Sequence, residues 1–152
     1  DWAALTGHET VVDLYSGTGT IAIWLAQQAG EVIGLELVDS AVADARKNCR
    51  NNNIANCRFI AGDIKETLGR IDQAPDLLVI DPPRVGMHPD VVKQVMDLAP
   101  AKIVYVSCNP ATMARDLLSL KADYDLGEVQ PVDMFPHTFH IESVAGLTRK
   151  AG

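Results

Sequence analysis

Polar residues recur at one kind of position in this sequence: at or just beyond the ends of short apolar runs. The first run, Thr10–Leu14, ends around Asp13 and leads into Tyr15-Ser16-Gly17-Thr18-Gly19-Thr20. The second ends in Glu36, the third leads into Gly62-Asp63, the fourth ends in Asp81-Pro82-Pro83-Arg84, and the fifth ends in Ser107-Cys108-Asn109-Pro110. A lone Asp after a strand is ordinarily a helix cap. Polar groups after all five runs are more than capping accounts for. Carboxylates, a thiol and glycines that admit a ligand to the backbone are the materials of nucleoside binding and of nucleophilic catalysis.

Gly17-x-Gly19-x-x-Ala22 formally matches the dinucleotide fingerprint, with Glu36 near the distance at which an acid bonds ribose hydroxyls. The match is weak alone and serves NAD and S-adenosylmethionine equally. The residues before it tilt the choice. A dinucleotide loop puts its first glycine directly after the strand, whereas Asp13-Leu14-Tyr15-Ser16 intervenes here, and Asp13 would set an acid beside a pyrophosphate. A ligand carrying an ammonium and a sulfonium suits such a loop better. Asp63 is placed to accept a hydrogen bond from an adenine amino group.

Cys108 follows an apolar run and precedes Asn109-Pro110, an N-cap and first-turn pair. The positive end of the helix favours a thiolate there. Cys49 lies on an apolar helix face and reads as structural, as does Cys57. Asp81, stiffened by two prolines that donate no backbone hydrogen bond, could orient a base or a cofactor, or be a plain strand exit. Arg84 is a candidate contact for a phosphate or a base, or a surface ion pair. His137-x-x-His140 is a weak metal signal without a carboxylate or Cys at ligand spacing. These histidines read as loop-shaping, substrate-contacting or solvent-facing. Glu142, taken alone, reads as an edge-strand acid pointing to water.

The elements that must hold these residues follow from periodicity. The runs Thr10–Leu14, Val32–Glu36, 58–60, 77–81 and Ile103–Ser107 are near-continuous in Val, Ile and Leu, as in parallel strands covered on both faces. Helical segments lie between them: Thr18–Ala29, Ser40–Asn53, Ile64–Leu68, Pro89–Leu98 and Pro110–Leu120. In the second, Val42, Ala45 and Cys49 share one face, Asp39 or Ser40 can cap the start, and Asn51-Asn52-Asn53 is a stop. The result is a doubly wound α/β sheet. Leu126–Met134 and Ile141–Thr148 are two β-like runs without a helix between them, which predicts an antiparallel pair at one edge. In such sheets ligands bind beyond the carboxyl ends of the strands.

The 152 residues suit one domain, and 47% hydrophobic with 22% charged is ordinary for a globular chain. No apolar stretch is long enough to span a bilayer. Three cysteines with no Cys-x-x-Cys pair point to a reducing, cytoplasmic compartment. Twenty acidic residues against thirteen basic ones give a net charge of −7, which is poor for holding a polyanion. The missing initiator Met points to a fragment of a longer chain.

Taken together, the segments resemble the RNA (uracil-5-)-methyltransferases. The resemblance covers nearly the whole chain. It runs through Asp13 to Thr20, Gly34-Leu35-Glu36 and Gly62-Asp63, which many methyltransferases share. It continues through Asp81-Pro82-Pro83-Arg84-Val85-Gly86, Tyr105-Val106-Ser107-Cys108-Asn109-Pro110 with Ala114-Arg115-Asp116-Leu117, and His137-Thr138-x-His140-x-Glu142-x-Val144, which are more specific. It implies a Rossmann-like, class I S-adenosylmethionine-dependent methyltransferase domain over 1–152, acting on a uridine of ribosomal or transfer RNA. It implies Cys108 as nucleophile, Glu142 as base, and a cofactor site lined by Tyr15, Thr20, Glu36, Asp63 and Asp81, beside Asp13, Gly17 and Gly19. Arg84 and His137 become candidate substrate contacts. The family also has sequence ahead of this domain, with RNA-binding surface and a glutamine-bearing segment that helps hold cofactor.

That chemistry suits these residue types. Uracil C5 is a poor nucleophile, but a thiolate added at C6 places electron density on C5, and a base must then remove the C5 proton. No metal is needed. Partial burial in the apolar stretch from Ile141 to Leu147 would make Glu142 a stronger base. Three rivals remain: a methyltransferase for an exocyclic amine, a non-catalytic cofactor- or RNA-binding module, and an NAD-binding oxidoreductase. The first needs no Cys108 and wants an aromatic where Arg84 stands.

Overall fold

The computed structural model describes residues 2–134, 136–138 and 141–151. Five parallel strands come first: β1 (Thr10–Leu14), β2 (Glu31–Glu36), β3 (Cys57–Ala61), β4 (Leu77–Ile80) and β5 (Lys102–Ser107). They are linked by α1 (Thr20–Ala26), α2 (Asp39–Asn51), α3 (Ile64–Thr67) with a 3-10 turn at Leu68–Arg70, and α4 (Pro89–Leu98). Then α5 (Pro110–Leu120) leads to β6 (Tyr124–Val132) and β7 (Glu142–Arg149). Among the described residues these strands form one sheet in the order β3-β2-β1-β4-β5-β7-β6. This is the doubly wound α/β sheet read from the sequence.

Alternation along the central strands explains why their sequences are apolar throughout. Val12, Leu14, Ile33, Leu35, Leu78 and Ile80 pack on one face with Val91, Val95, Met113 and Leu120 of α4 and α5. Val11, Val32, Leu77 and Val79 pack on the other with Ala22, Ala26, Val42, Ala45 and Cys49 of α1 and α2. Each face is covered by helices, so neither set of alternating side chains meets water.

The last strand pair is where the sheet changes character. With no helix between β6 and β7 among the described residues, β7 returns antiparallel to β6 and inserts between it and β5. The expected pair is present, with β6 rather than β7 at this edge of the sheet and β3 at the other.

Several boundaries differ from the periodicity. α1 begins at Thr20, because Gly17 (φ 53) and Gly19 (φ 85) hold the preceding loop in left-handed conformations. It stops at Ala26, where the Asn56 amide reaches across to the carbonyls of Ala26 (2.8 Å) and Ala29 (2.9 Å). Neither Asp39 nor Ser40 caps α2: Val38 is the N-cap residue and no side chain bonds there. The Glu36 carboxylate instead accepts from the Val38 N–H at 2.8 Å. The asparagine stop is as read, with Asn52 at the C-cap and Asn53 left-handed (φ 56). β4 ends at Ile80, one residue before Asp81, since Pro82 and Pro83 have no N–H with which to extend the ladder.

Gly34 sits where β2 passes under the glycine loop. A Cβ there would lie 2.4 Å from the Phe59 ring and 2.8 Å from Ser16 Oγ. Gly34→Ala is expected to lower stability by about 1–3 kcal/mol. Urea unfolding checks this: the midpoint falls at unchanged slope, and an unchanged midpoint would mean that the Phe59 ring yields freely.

Candidate active site

Every parallel strand ends at the same rim, and β7, running the other way, begins there. The rim therefore collects Tyr15 after β1, Glu36 on β2, Asp63 after β3, Asp81 after β4, Cys108 after β5 and Glu142 at the start of β7. Two cavities open on it.

The first holds about 350 Å³ and is lined by Tyr15, Glu36, Val38, Asp63, Pro83 and His88, among others. Glu36 is fixed by two backbone amides, Gly17 N–H at 2.9 Å and Val38 N–H at 2.8 Å, one to each oxygen. It thereby ties the glycine loop to the end of β2. Asp63 is the N-cap of α3 and accepts from Lys65 N–H at 2.9 Å through Oδ1. Tyr15 has a left-handed backbone (φ 63). Burial, with the Asp116 and Asp63 carboxylates nearby, pushes its hydroxyl up to about 12, so it is a neutral donor. His88 was not singled out from the sequence. Its legible signal was the His-Pro pair at a helix start; it is the N-cap of α4 and accepts from Asp90 N–H at 3.2 Å. Only the fold turns it toward this cavity.

The second cavity, also about 350 Å³, is lined by Asp81, Val106, Cys108, Val132, Met134, Glu142 and Val144. The sheet register explains the meeting. β5 and β7 pair antiparallel down to Ser107↔Ser143. Continued one rung beyond the paired residues, that register sets Cys108 opposite Glu142, and both line the cavity; residues opposed across antiparallel strands project to the same side. Both are partly buried. Asp81 closes the cavity, and its carboxyl is raised above its usual range by burial and then by the Glu142 carboxylate. The expected cap is present beside Cys108, with Asn109 Oδ1 accepting from Ala111 N–H at 3.1 Å and Pro110 in the first turn.

Asp13 lies beneath the rim, 1% exposed, and neither of its oxygens has a hydrogen-bond partner. Burial, and then the negative charges of Asp81 and Glu36, push its carboxyl up to about 8, although the nearby Ala22 N–H pulls the other way. Ser16 Oγ is likewise buried and unpartnered. Gly19 and Thr20 sit at the start of α1, with Thr20 exposed and outside the linings of both cavities. Arg84 is exposed, and its carbonyl accepts from Asn109 Nδ2 (3.0 Å) and Thr112 Oγ1 (3.1 Å). His137 is in an exposed turn with φ 69 and outside both linings. His140 lies outside the described residues. Cys49 is in the core, and Cys57 is half-buried, with its thiol pushed up to about 12 by burial and by Cys49. Among the described residues, no group of three or more His, Cys, Asp or Glu side chains is placed to hold a metal, and no helix is long and apolar enough to cross a membrane.

Comparison with known proteins places this geometry. Residues 2–150 match the family described as tRNA (uracil-5-)-methyltransferase. The chain belongs to that family. A protein of Bacteroides thetaiotaomicron named as an uncharacterized RNA methyltransferase is 53% identical over 151 residues, 97% of this chain and 33% of its own length. One from Porphyromonas gingivalis with the same name is 53% identical over 155 residues, 98% of this chain and 33% of its own. The Pyrococcus abyssi tRNA (uracil-54, C5)-methyltransferase, solved in complex with S-adenosyl-L-homocysteine, superposes with a TM-score of 0.85 at 40% identity, over 96% of this chain and 36% of that one. TrmN from Thermus thermophilus shares the fold at 21% identity, with a TM-score of 0.79 over 98% of this chain and 46% of its own. The chain thus spans about a third of the length of the curated relatives that it matches.

For this member of the uracil-5-methyltransferase family, Asp13 yields a test. Its carboxyl titrates near 4 when unfolded and is raised to about 8 when folded, so folding takes up a proton between those values. Its contribution to stability therefore falls as pH rises from about 4 to about 8, at no more than ~1.4 kcal/mol per pH unit. Asp13→Asn removes that slope. Thermal melts of both proteins between pH 5 and 9 should diverge in favour of the variant as pH rises. Parallel curves would show that Asp13 stays ionised in the fold.

Proposed function

We propose that this domain binds S-adenosylmethionine and methylates C5 of a uridine in RNA. The observation that carries the reading is the second cavity, where Cys108 and Glu142 line the same space beside Asp81. A thiol and a carboxylate on one wall are what addition at C6 and proton removal at C5 require.

The residues present fit the cofactor. Asp13, Glu36, Asp63 and Asp81 make the rim acidic, and Asp13 is buried without a partner. A pyrophosphate would meet repulsion there, whereas an ammonium and a sulfonium would relieve it. Glu36 keeps acceptor capacity for ribose hydroxyls beyond its two amides, and Asp63 Oδ2 is available to an adenine amino group. The Pyrococcus abyssi relative, solved with S-adenosyl-L-homocysteine, supports this assignment. When bound, the cofactor supplies an electrophilic methyl group on a sulfonium.

The chain's own residues do the rest. The Cys108 thiolate adds to uracil C6 and forms a carbon–sulfur bond, which makes C5 nucleophilic. Once C5 carries the methyl, Glu142 takes the C5 proton and the electron pair restores the ring as sulfur departs from C6. Asp81, in contact with the same cavity, orients the base. The space suits a single base, so a uridine in folded RNA must leave its stack to enter. With a net charge of −7, this domain is a poor holder of RNA. The grip on RNA is therefore assigned to the remainder of a longer protein, consistent with relatives about three times its length.

The test uses full-length protein, wild type and Cys108→Ala, with S-adenosylmethionine and RNA containing 5-fluorouridine. Fluorine cannot leave as a proton, so wild type should be trapped as an adduct on denaturing gels and by mass, and Cys108→Ala should give none. Methylation of ordinary RNA without a trapped adduct would sink the C5 mechanism and favour an exocyclic amine as acceptor.

Glu142→Gln separates the two roles. It should still add Cys108 to ordinary uridine and accept the methyl, but lose about 10²–10⁴-fold in turnover as the methylated adduct persists. Rapid-quench mass spectrometry reads this directly, and a variant that turns over slowly with no adduct would assign the proton to another base.

A further inference from the structure

The Arg115-Asp116 pair stands in a segment that belongs to the resemblance, yet neither residue lines the cavity holding Cys108 and Glu142. Asp116 is a charged residue on the inner face of α5, its side chain only 3% exposed. All of its acceptor positions are engaged. Oδ1 accepts from Arg115 Nε at 2.9 Å and Nη2 at 2.8 Å. Oδ2 accepts from the Tyr105 hydroxyl at 2.6 Å and from Met87 N–H at 2.8 Å. Burial and the Asp116 carboxylate push the Tyr105 hydroxyl above its usual range, which keeps it a donor.

Two of the three partners of Asp116 belong to elements that form the site. Tyr105 is on β5, three residues before Cys108. Met87 ends the loop that starts at Asp81. Arg115 extends the same grip, as its Nη2 also donates to the carbonyls of Val85 (3.0 Å) and Met87 (3.2 Å). Asn109 and Thr112 hold the neighbouring Arg84 carbonyl. Gly86 makes the approach possible: at φ 77, a Cβ on it would lie 2.5 Å from Arg115 Nη2 and 2.7 Å from Asp116 Oδ2.

We infer that Asp116, with Arg115, is a positioning pair that docks the Asp81–Met87 loop onto the helix following Cys108, and so sets Asp81 and Cys108 in register for the reaction. The inference rests on the reading above. The pair touches no reacting atom in this arrangement. Its effect runs through the loop, whose prolines at 82 and 83 donate no backbone hydrogen bond.

The discriminating variant is the double substitution Arg115→Met with Asp116→Asn, in full-length protein. It removes both charges together, so no unpaired buried charge remains, and the new amide can still accept from Tyr105. Thermal unfolding should therefore stay near wild type while the loop loses its hold. Positioning predicts kcat down by about 10- to 100-fold with KM for RNA changed less than about threefold. Formation of the 5-fluorouridine adduct should slow in parallel. The single Asp116→Asn change should lower kcat likewise, and Thr112→Val, which removes the hydroxyl that bonds the Arg84 and Asn109 carbonyls (3.1 Å each) and leaves the Asp116 contacts in place, should lower it by less. If the double variant does not fold, these two carry the same prediction. Wild-type kcat in a folded variant overturns the inference, and so does a loss that appears only in KM or only as unfolding at the assay temperature. A wild type that makes no 5-methyluridine overturns instead the reading on which the inference rests.

Discussion

β5 and β7 pair through six rungs, from Lys102↔Thr148 to Ser107↔Ser143, and the position of Glu142 follows from that pairing. The five parallel strands deliver their carboxyl ends to the rim without further arrangement. Glu142 arrives there only because β7 runs the other way and starts where they finish. A slip of one residue would turn every side chain of β7 to the opposite face. Ala145 and Leu147 would then leave the core, where both are buried, so core packing and site geometry are held by the same register. The position of Glu142 is thus protected by the stability of a hydrophobic strand.

Two buried aspartates show how differently this structure treats a carboxylate. Asp116 receives four donated hydrogen bonds, two of them from a guanidinium, the arrangement that makes a buried charge tolerable. Asp13 receives none and carries the strain of neighbouring negative charge. The first pattern belongs to a joint between elements. On the proposed function, the second belongs to a site arranged for a cation, where a cost in the free protein is recovered on binding. The same residue type, at similar burial, is assigned opposite tasks by its partners.

The strand ends, the helix caps at Asn109 and the antiparallel tail were legible in the sequence because each depends on residues within a few positions of one another. What was not legible depends on contacts across the fold. The early end of α1 requires Asn56, thirty residues away in sequence. The absence of a side-chain cap on α2 follows from Val38, which has no side-chain acceptor, standing at the N-cap with its N–H held by Glu36, which a scan for Ser and Asp at helix starts does not reveal. His88 read as a helix start and gave no sign of facing a cavity. Glu142 on its own read as an acid facing water, since alternation in an edge strand gives two faces without saying which is inside. The family resemblance supplied its role, and only the pairing of β7 with β5 gives a physical reason for its position. Asp116 had no local signature at all: a charge within a helix ordinarily faces solvent.

The two cavities share a wall. Asp81 lines one and Pro83, two residues on, lines the other. On the proposed function this segment separates a cofactor space from a substrate space, and it must be stiff, since any drift changes both at once. Pro82 and Pro83 supply stiffness by fixing their own backbone angles, yet they also remove the hydrogen bonds by which a loop is normally moored. Asp81 keeps only a long 3.4 Å bond from its N–H to the Leu14 carbonyl. The mooring must then come from beyond the prolines, at Arg84, Val85 and Met87, and that is where the side chains of α5 and Asn109 take hold. Rigid prolines and a distant clamp are two halves of one solution. The prolines transmit the clamp's position to Asp81, and the clamp sits on the helix that begins beside Cys108.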